Sequence, residues 1–223
     1  MANEHDSFIR EVNEELRSDQ FKSIWRQFGP YIIGIAVLIV VGTAGWRGYE
    51  YWRDTRSSAS GDRFIAALTL AKEGKNDEAL AALAEIEKEG HGSYPVLARL
   101  RAATVTAAKG DAAAAAAAFS AIGKDTSVPQ VIRDAARLRA AWLLIDIADY
   151  EAVSAEVEVM AAPGNALRHS AREALGLAAY KAGDMGKARE WFEQVVEDTE
   201  APRNVANRAQ IMLDNITAAG GNA

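Results

Sequence analysis

The sequence predicts an all-α protein: one apolar helix near the N-terminus, then a solenoid of helical hairpins. Three observations carry this. Gly and Pro number only 17 and 5 in 223 residues, while the strong helix formers Ala, Leu, Glu, Arg and Lys are abundant. Twenty consecutive uncharged residues, Gln27 to Trp46, separate Arg26 from Arg47. Pro95, Pro129 and Pro163 are each 34 residues apart, and Pro202 follows. A period of that size signals stacked hairpins, with proline placed where helices start or have just ended.

Residues 1–28 form the first predicted element. Asp6 or Ser7 can cap a helix here, and Phe8, Val12, Leu16, Phe21, Ile24, Trp25 and Phe28 recur at steps close to a helical turn. This amphipathic helix lies on the membrane face or on a partner, or else simply extends the next element.

That element, residues 29–53, reads as a membrane span. At about 1.5 Å per residue the uncharged run covers roughly 30 Å, the thickness of a bilayer's hydrocarbon core. Trp25, Phe28 and Tyr31 crowd one end, and Trp46, Tyr49, Tyr51 and Trp52 the other, as aromatic rings do at the two membrane interfaces. Pro30 suits the first turn of a helix, where its missing N–H costs little. A secretory signal fits poorly, because six acids and four bases precede the run where a short basic segment is needed. Charge does not orient the span. Arg10, Arg17, Lys22 and Arg26 precede it, and Arg47, Arg53, Arg56 and Arg63 follow. Gly34, Gly42 and Gly45 share one face and could let a second membrane helix approach closely, although glycine is frequent in spans generally.

Residues 54–62, DTRSSASGD, are expected as a short polar linker. The repeats occupy 63–201. Their turns fall at Gly74, Gly110, Ala148 and Gly183. In the last unit, LGLAAYKAGDMGKAREWFEQVVEDTEAP, Leu175 and Gly176 precede the turn, Ala188 is the small residue of the second helix and Phe192 the large one. This unit resembles a tetratricopeptide repeat, in which small side chains let the two helices cross closely. Upstream, Ala67, Ala103 and Ala141 match Gly176, Ala79 and Ala115 match Ala188, and Leu83, Phe119 and Val157 match Phe192. The third unit departs most, with Val153 in place of the small residue and Ala148 in place of the turn glycine.

Arg63, Arg99, Arg137 and Arg172 each stand four residues before the small first-helix residue. They either pair with acids across the hairpins or lie along the surface; exposed pairs contribute only about 0–1 kcal/mol, which favours the surface reading. The seven alanines 112–118 predict a tightly packed second helix. Residues 202–223 supply a capping helix and tail, since the last hairpin would otherwise expose an apolar face.

Composition narrows the function. A net charge of −6 without a basic stripe argues against nucleic acid. No cysteine is present, which excludes disulfides, thiolate catalysis and zinc–thiolate sites. GDMGKA has only two residues between its glycines and Ala188 after Lys187, so it is no phosphate loop. His5, His91 and His169 lack ligand spacing, and no nucleophile motif occurs. The expectation is a non-enzymatic protein with no catalytic residues, cofactor, metal or small-molecule substrate.

The order of acidic helix, span ending in Gly45-Trp46-Arg47 with Tyr49 to Trp52, Glu73-Gly74-Lys75 in the first turn, and Gly183-Asp184 through Pro202 resembles the YfgM-like family. These are ancillary subunits of the bacterial SecYEG translocon. The resemblance implies a single-pass protein of the bacterial inner membrane, with its N-terminus cytoplasmic and its solenoid periplasmic. The implied partners are Sec translocon subunits, a periplasmic chaperone of the peptidyl-prolyl isomerase class and exported chains. It also implies that first helices line a concave face. In this register Leu100, Thr104, Trp142, Asp146, Glu173, Leu177, Tyr180 and Lys181 would face it, with Trp142 and Tyr180 as anchors, or else as packing residues between helices. Two alternatives stay open: a scaffold for cell-wall, division or outer-membrane assembly factors, and a regulator binding a cytoplasmic signalling protein through residues 1–28.

Overall fold

A computed structural model describes residues 3–220, except the side chains of residues 3–21, 23, 24, 54 and 56. Nine α-helices follow one another, with no strand among the described residues: α1 Asn3–Lys72, α2 Asn76–Glu89, α3 Tyr94–Ala108, α4 Ala112–Lys124, α5 Gln130–Ile147, α6 Tyr150–Val157, α7 Arg168–Lys181, α8 Met185–Val196 and α9 Arg203–Ala218. A short 3-10 helix, Glu158–Ala161, follows α6. The chain divides into two compact units, Met1–Arg56 and Ser57–Ala223.

Among the described residues one helix is long and apolar enough to cross a membrane, and only 6% of its most apolar stretch is buried. Pro30 lies within α1 rather than in its first turn. The helix continues because a proline removes one backbone hydrogen bond, and in a long apolar helix the flanking turns hold the geometry. The apolar face expected over Phe8–Phe21 falls on side chains outside the described ones.

The stretch 54–62 is helical, not an irregular linker. Its second half packs as part of the first hairpin. Ser60 Oγ accepts the His91 N–H at 3.0 Å, and a Cβ on Gly61 would stand 2.6 Å from the Tyr94 hydroxyl. Small polar residues here serve a close helix approach instead of a turn.

From Ser57 onward the hairpins follow the predicted register. The small positions Ala67, Ala103, Ala141, Ala79, Ala115 and Ala188 are all at most 1% exposed. The large ones, Leu83, Phe119, Val157 and Phe192, are at most 3% exposed. Gly176 shows why size matters: a Cβ there would meet the Phe192 ring at 2.7 Å. The third hairpin keeps the register despite its substitutions, with Val153 fully buried. Ala148 needs no glycine because it sits in extended backbone (φ −130°), whereas Gly74, Gly110 and Gly183 adopt φ of 80°, 92° and 81°. Asp111, Asp149 and Asp184 cap the helices that follow, each side chain accepting the N–H three residues on.

The four register arginines do not lie idle on the surface. Each reaches the C-terminal end of the second helix of its own hairpin. Arg63 pairs with Glu89 at 3.5 Å, and Arg99 with Asp125, the residue that ends α4, at 2.6 Å. Arg137 donates to the Ala155 carbonyl at 2.9 Å. Arg172 donates to the Ala161 and Gln194 carbonyls at 3.0 and 3.1 Å and meets Asp198 at 3.4 Å. The interval is 26 residues for Arg63, Arg99 and Arg172, and shortens to 18 at Arg137 because α6 has only 8 residues. A cation at a helix C-terminus satisfies free carbonyls and opposes the negative end of the dipole. The surface reading is therefore corrected for Arg99, Arg137 and Arg172, which clamp their hairpins, while Arg63 keeps the same destination as an exposed pair.

Two acids of these clamps are held as carboxylates by the hydrogen-bond donors around them. Hydrogen bonds from the Ser127 hydroxyl and from Arg99 lower the Asp125 carboxyl from 3.8 to about 2. Arg168, the Glu200 N–H and His169 hold Asp198 well below the ordinary carboxylate range. Both groups are depressed in the fold, so their stabilising contribution is complete above the ordinary value of 3.8 and is lost as pH falls toward the folded value, about 2 for Asp125. The expected result is that the urea midpoint, followed by far-ultraviolet circular dichroism, drops as pH falls through that window. Asp125→Asn should shrink the drop; an unchanged acid limb in that variant would contradict the assignment.

Candidate protein-binding surface

The first helices α3, α5 and α7 carry the residues expected on a concave face, and the structure separates them into two groups. Trp142 and Asp146 on α5 are open: Trp142 is 36% exposed, and Asp146 has no ion pair among the described residues. Leu100 and Thr104 on α3 are half-buried. Leu100 packs on the cluster of Ala103, Phe119, Ile122 and Ala140, while the Thr104 hydroxyl donates to the Leu100 carbonyl at 2.9 Å.

The other four also make contacts within the array. Glu173 is 3% exposed and accepts from two Arg208 nitrogens, Nε and Nη2, at 2.5 and 2.7 Å, binding α9 to α7. That ion pair raises the Arg208 pKa further. Leu177 and Tyr180 pack with Phe192, Val205, Met212 and Leu213. Lys181 donates to the Ile145 carbonyl at 2.7 Å, closing the end of α5. Of these only Glu173 is closed off; Leu177 and Tyr180 are half-buried, as Leu100 and Thr104 are, and Lys181 is exposed. What closes Glu173 off is α9, whose apolar residues Val205, Ala209 and Ile216 cover the last hairpin.

Arg139 was missed by sequence reasoning. It is exposed, reaches Thr104 Oγ1 at 3.5 Å, and lies 5.8 Å from the centre of the Phe119 ring. Its signal was available: Arg101 and Arg139 both stand two residues before a small first-helix alanine. Gly34, Gly42 and Gly45 are exposed on α1, and a Cβ on any of them would meet nothing within 4 Å.

Among the described residues no group of three or more His, Cys, Asp or Glu could hold a metal ion. What the repeat unit offers is a ladder of helices with one aromatic side chain and mixed charges at its open side, which defines a helical-repeat interaction module. The model of the tetratricopeptide repeat-like domain matches residues 22–218, and the chain belongs to that family. A search of curated proteins found no match.

Proposed function

We propose that this protein is a single-pass membrane scaffold whose repeat domain binds other proteins on the bacterial periplasmic side. Its role is that of an ancillary subunit linking the Sec translocon to a periplasmic chaperone of the peptidyl-prolyl isomerase class. The observation that carries the reading is the extent of the family match, which begins at residue 22, ahead of the apolar run, and continues through the cap to 218. The matched stretch takes in the apolar helix as well as the repeats. The apolar helix supports anchoring, and the Gly34, Gly42 and Gly45 face would receive a channel helix. Trp142, Asp146, Leu100 and Thr104 form the proposed face for the soluble partner, with Trp142 as its anchor.

The test is a mild-detergent pull-down of the tagged full-length protein, read by quantitative mass spectrometry. Translocon subunits and one periplasmic chaperone should co-purify. Trp142→Ala should cut chaperone recovery by about tenfold or more, the loss expected of an aromatic anchor, and leave the channel subunits in place. Recovery of cell-wall, division or outer-membrane assembly factors without the translocon would keep the scaffold and replace its partners. Recovery that depends on residues 1–28 alone would favour a cytoplasmic regulator.

A further inference from the structure

We infer that the groove between α4 and α6 is a second docking site, and that its occupant is an amphipathic helix of a partner protein carrying lysine or arginine beside its apolar face. The inference does not depend on the translocon reading. It starts from the alanine run. Only Ala115 and Ala116 of residues 112–118 are buried; Ala113, Ala114 and Ala117 are exposed. Exposed helix positions ordinarily carry charged or long polar side chains. Here alanines form one wall of a groove of about 490 Å³ that Leu144, Ile147, Ala152, Ala155 and Glu156 also line. Ile147 is 48% exposed within it. Low walls of this kind admit the close approach of another helix, as the alanines and glycine of the hairpins do internally.

Charge defines the occupant. Between Arg139 and Arg168 the sequence has five acids, Asp146, Asp149, Glu151, Glu156 and Glu158, and no Lys or Arg. Glu156, 6% exposed, lines the groove. One of its oxygens accepts the Ser120 hydroxyl at 2.6 Å and lies 3.9 Å from Lys124 Nζ; the other has no hydrogen-bond donor but forms an ion pair with Arg137 Nε at 3.6 Å, so Glu156 is already compensated. At Ala148 the groove adjoins a second cleft lined by Asp149 and Glu151. There Lys181 is committed to the Ile145 carbonyl and Lys187 lies over the Tyr150 ring, while Glu151 is exposed with no ion pair among the described residues. An apolar channel whose end carries the exposed carboxylates of Asp149 and Glu151 complements a helix that is apolar on one face and basic at its margin.

Because the chain has no cysteine, Ala113→Cys can carry a single environment-sensitive fluorophore on the groove wall. The labelled full chain, held in nanodiscs of zwitterionic lipid, is titrated with a short helical peptide that has a Leu/Ala face and Lys at its margins. The same peptide with Glu in place of Lys is the comparison, and empty discs give the background. The Lys peptide should change the signal saturably and bind more weakly at high salt. The Glu peptide should bind at least about tenfold more weakly. Ala117→Gln, which fills the channel without adding charge, should weaken the Lys peptide about tenfold, and so should Glu151→Lys. Circular dichroism establishes that both variants remain folded; their exposed sites make that the expected result. Absence of a response to the Lys peptide overturns the proposal, as do equal responses to both peptides or variants that bind like the parent. A signal that changes with protein concentration before any peptide is added would make the occupant a second copy of this chain, and overturns it too.

Discussion

Phe192→Ala is expected to lower the stability of the repeat unit by about 3–5 kcal/mol, the usual cost of emptying a fully buried aromatic site. Phe192 is 0% exposed and joins the core shared by Ala179, Ala188, Val195, Val205, Ala209 and Ile216. These residues come from α7, α8 and the cap α9, so the cavity would loosen the end of the array as a whole. Chemical unfolding followed by circular dichroism would measure it. A companion measurement isolates the helix crossing. Gly176→Ala adds a methyl 2.7 Å from the Phe192 ring and should cost about 1–3 kcal/mol as an overpacked site. In the Phe192→Ala background that cost should largely disappear, because the methyl enters the space the ring has left. Additive losses would mean that Gly176 is required for another reason.

The second large effect is at Arg172. Arg172→Ala removes a buried guanidinium that satisfies two carbonyls and one carboxylate, and should destabilise the protein by about 3–5 kcal/mol. The same substitution along the ladder should matter progressively less toward the N-terminus. Side-chain exposure is 9% at Arg172, 24% at Arg99 and Arg137, and 62% at Arg63. Screening by water reduces an exposed pair to about 0–1 kcal/mol, so Arg63→Ala should be nearly silent. Equal losses at all four positions would show that geometry, not burial, sets the worth of each clamp. Arg172→Lys distinguishes charge from shape. Lysine keeps the charge but not the fork that spans the Ala161 and Gln194 carbonyls, so it should recover only a minor part of the loss.

The hairpins were legible because close crossing demands small residues at fixed spacing, and a one-dimensional repeat shows each demand several times over. Ala67, Ala103, Ala141 and Gly176 are read in this way, and so are the large residues opposite them. Even the irregular third hairpin was placed correctly by its spacing. The arginine register was visible too, but its purpose was not. Four arginines at one position say that the position matters; only the packed hairpin brings each to the end of a second helix.

What the sequence by itself determined, then, is the all-α class, the apolar helix, the number and register of the hairpins and the existence of a cap. All of these follow from local periodicity and from side-chain size. Tertiary structure alone decided which polar side chains remain free. Glu173 and Lys181 look like solvated groove residues in the sequence, yet one is buried against Arg208 and the other closes α5. Their partners lie 35 and 36 residues away, a whole repeat distant, where no local pattern reaches. The open alanine wall of α4 was hidden for the same reason. Alanine serves equally well in a tight crossing and on a bare surface, and only the packed array shows which alanines of α4 stay uncovered.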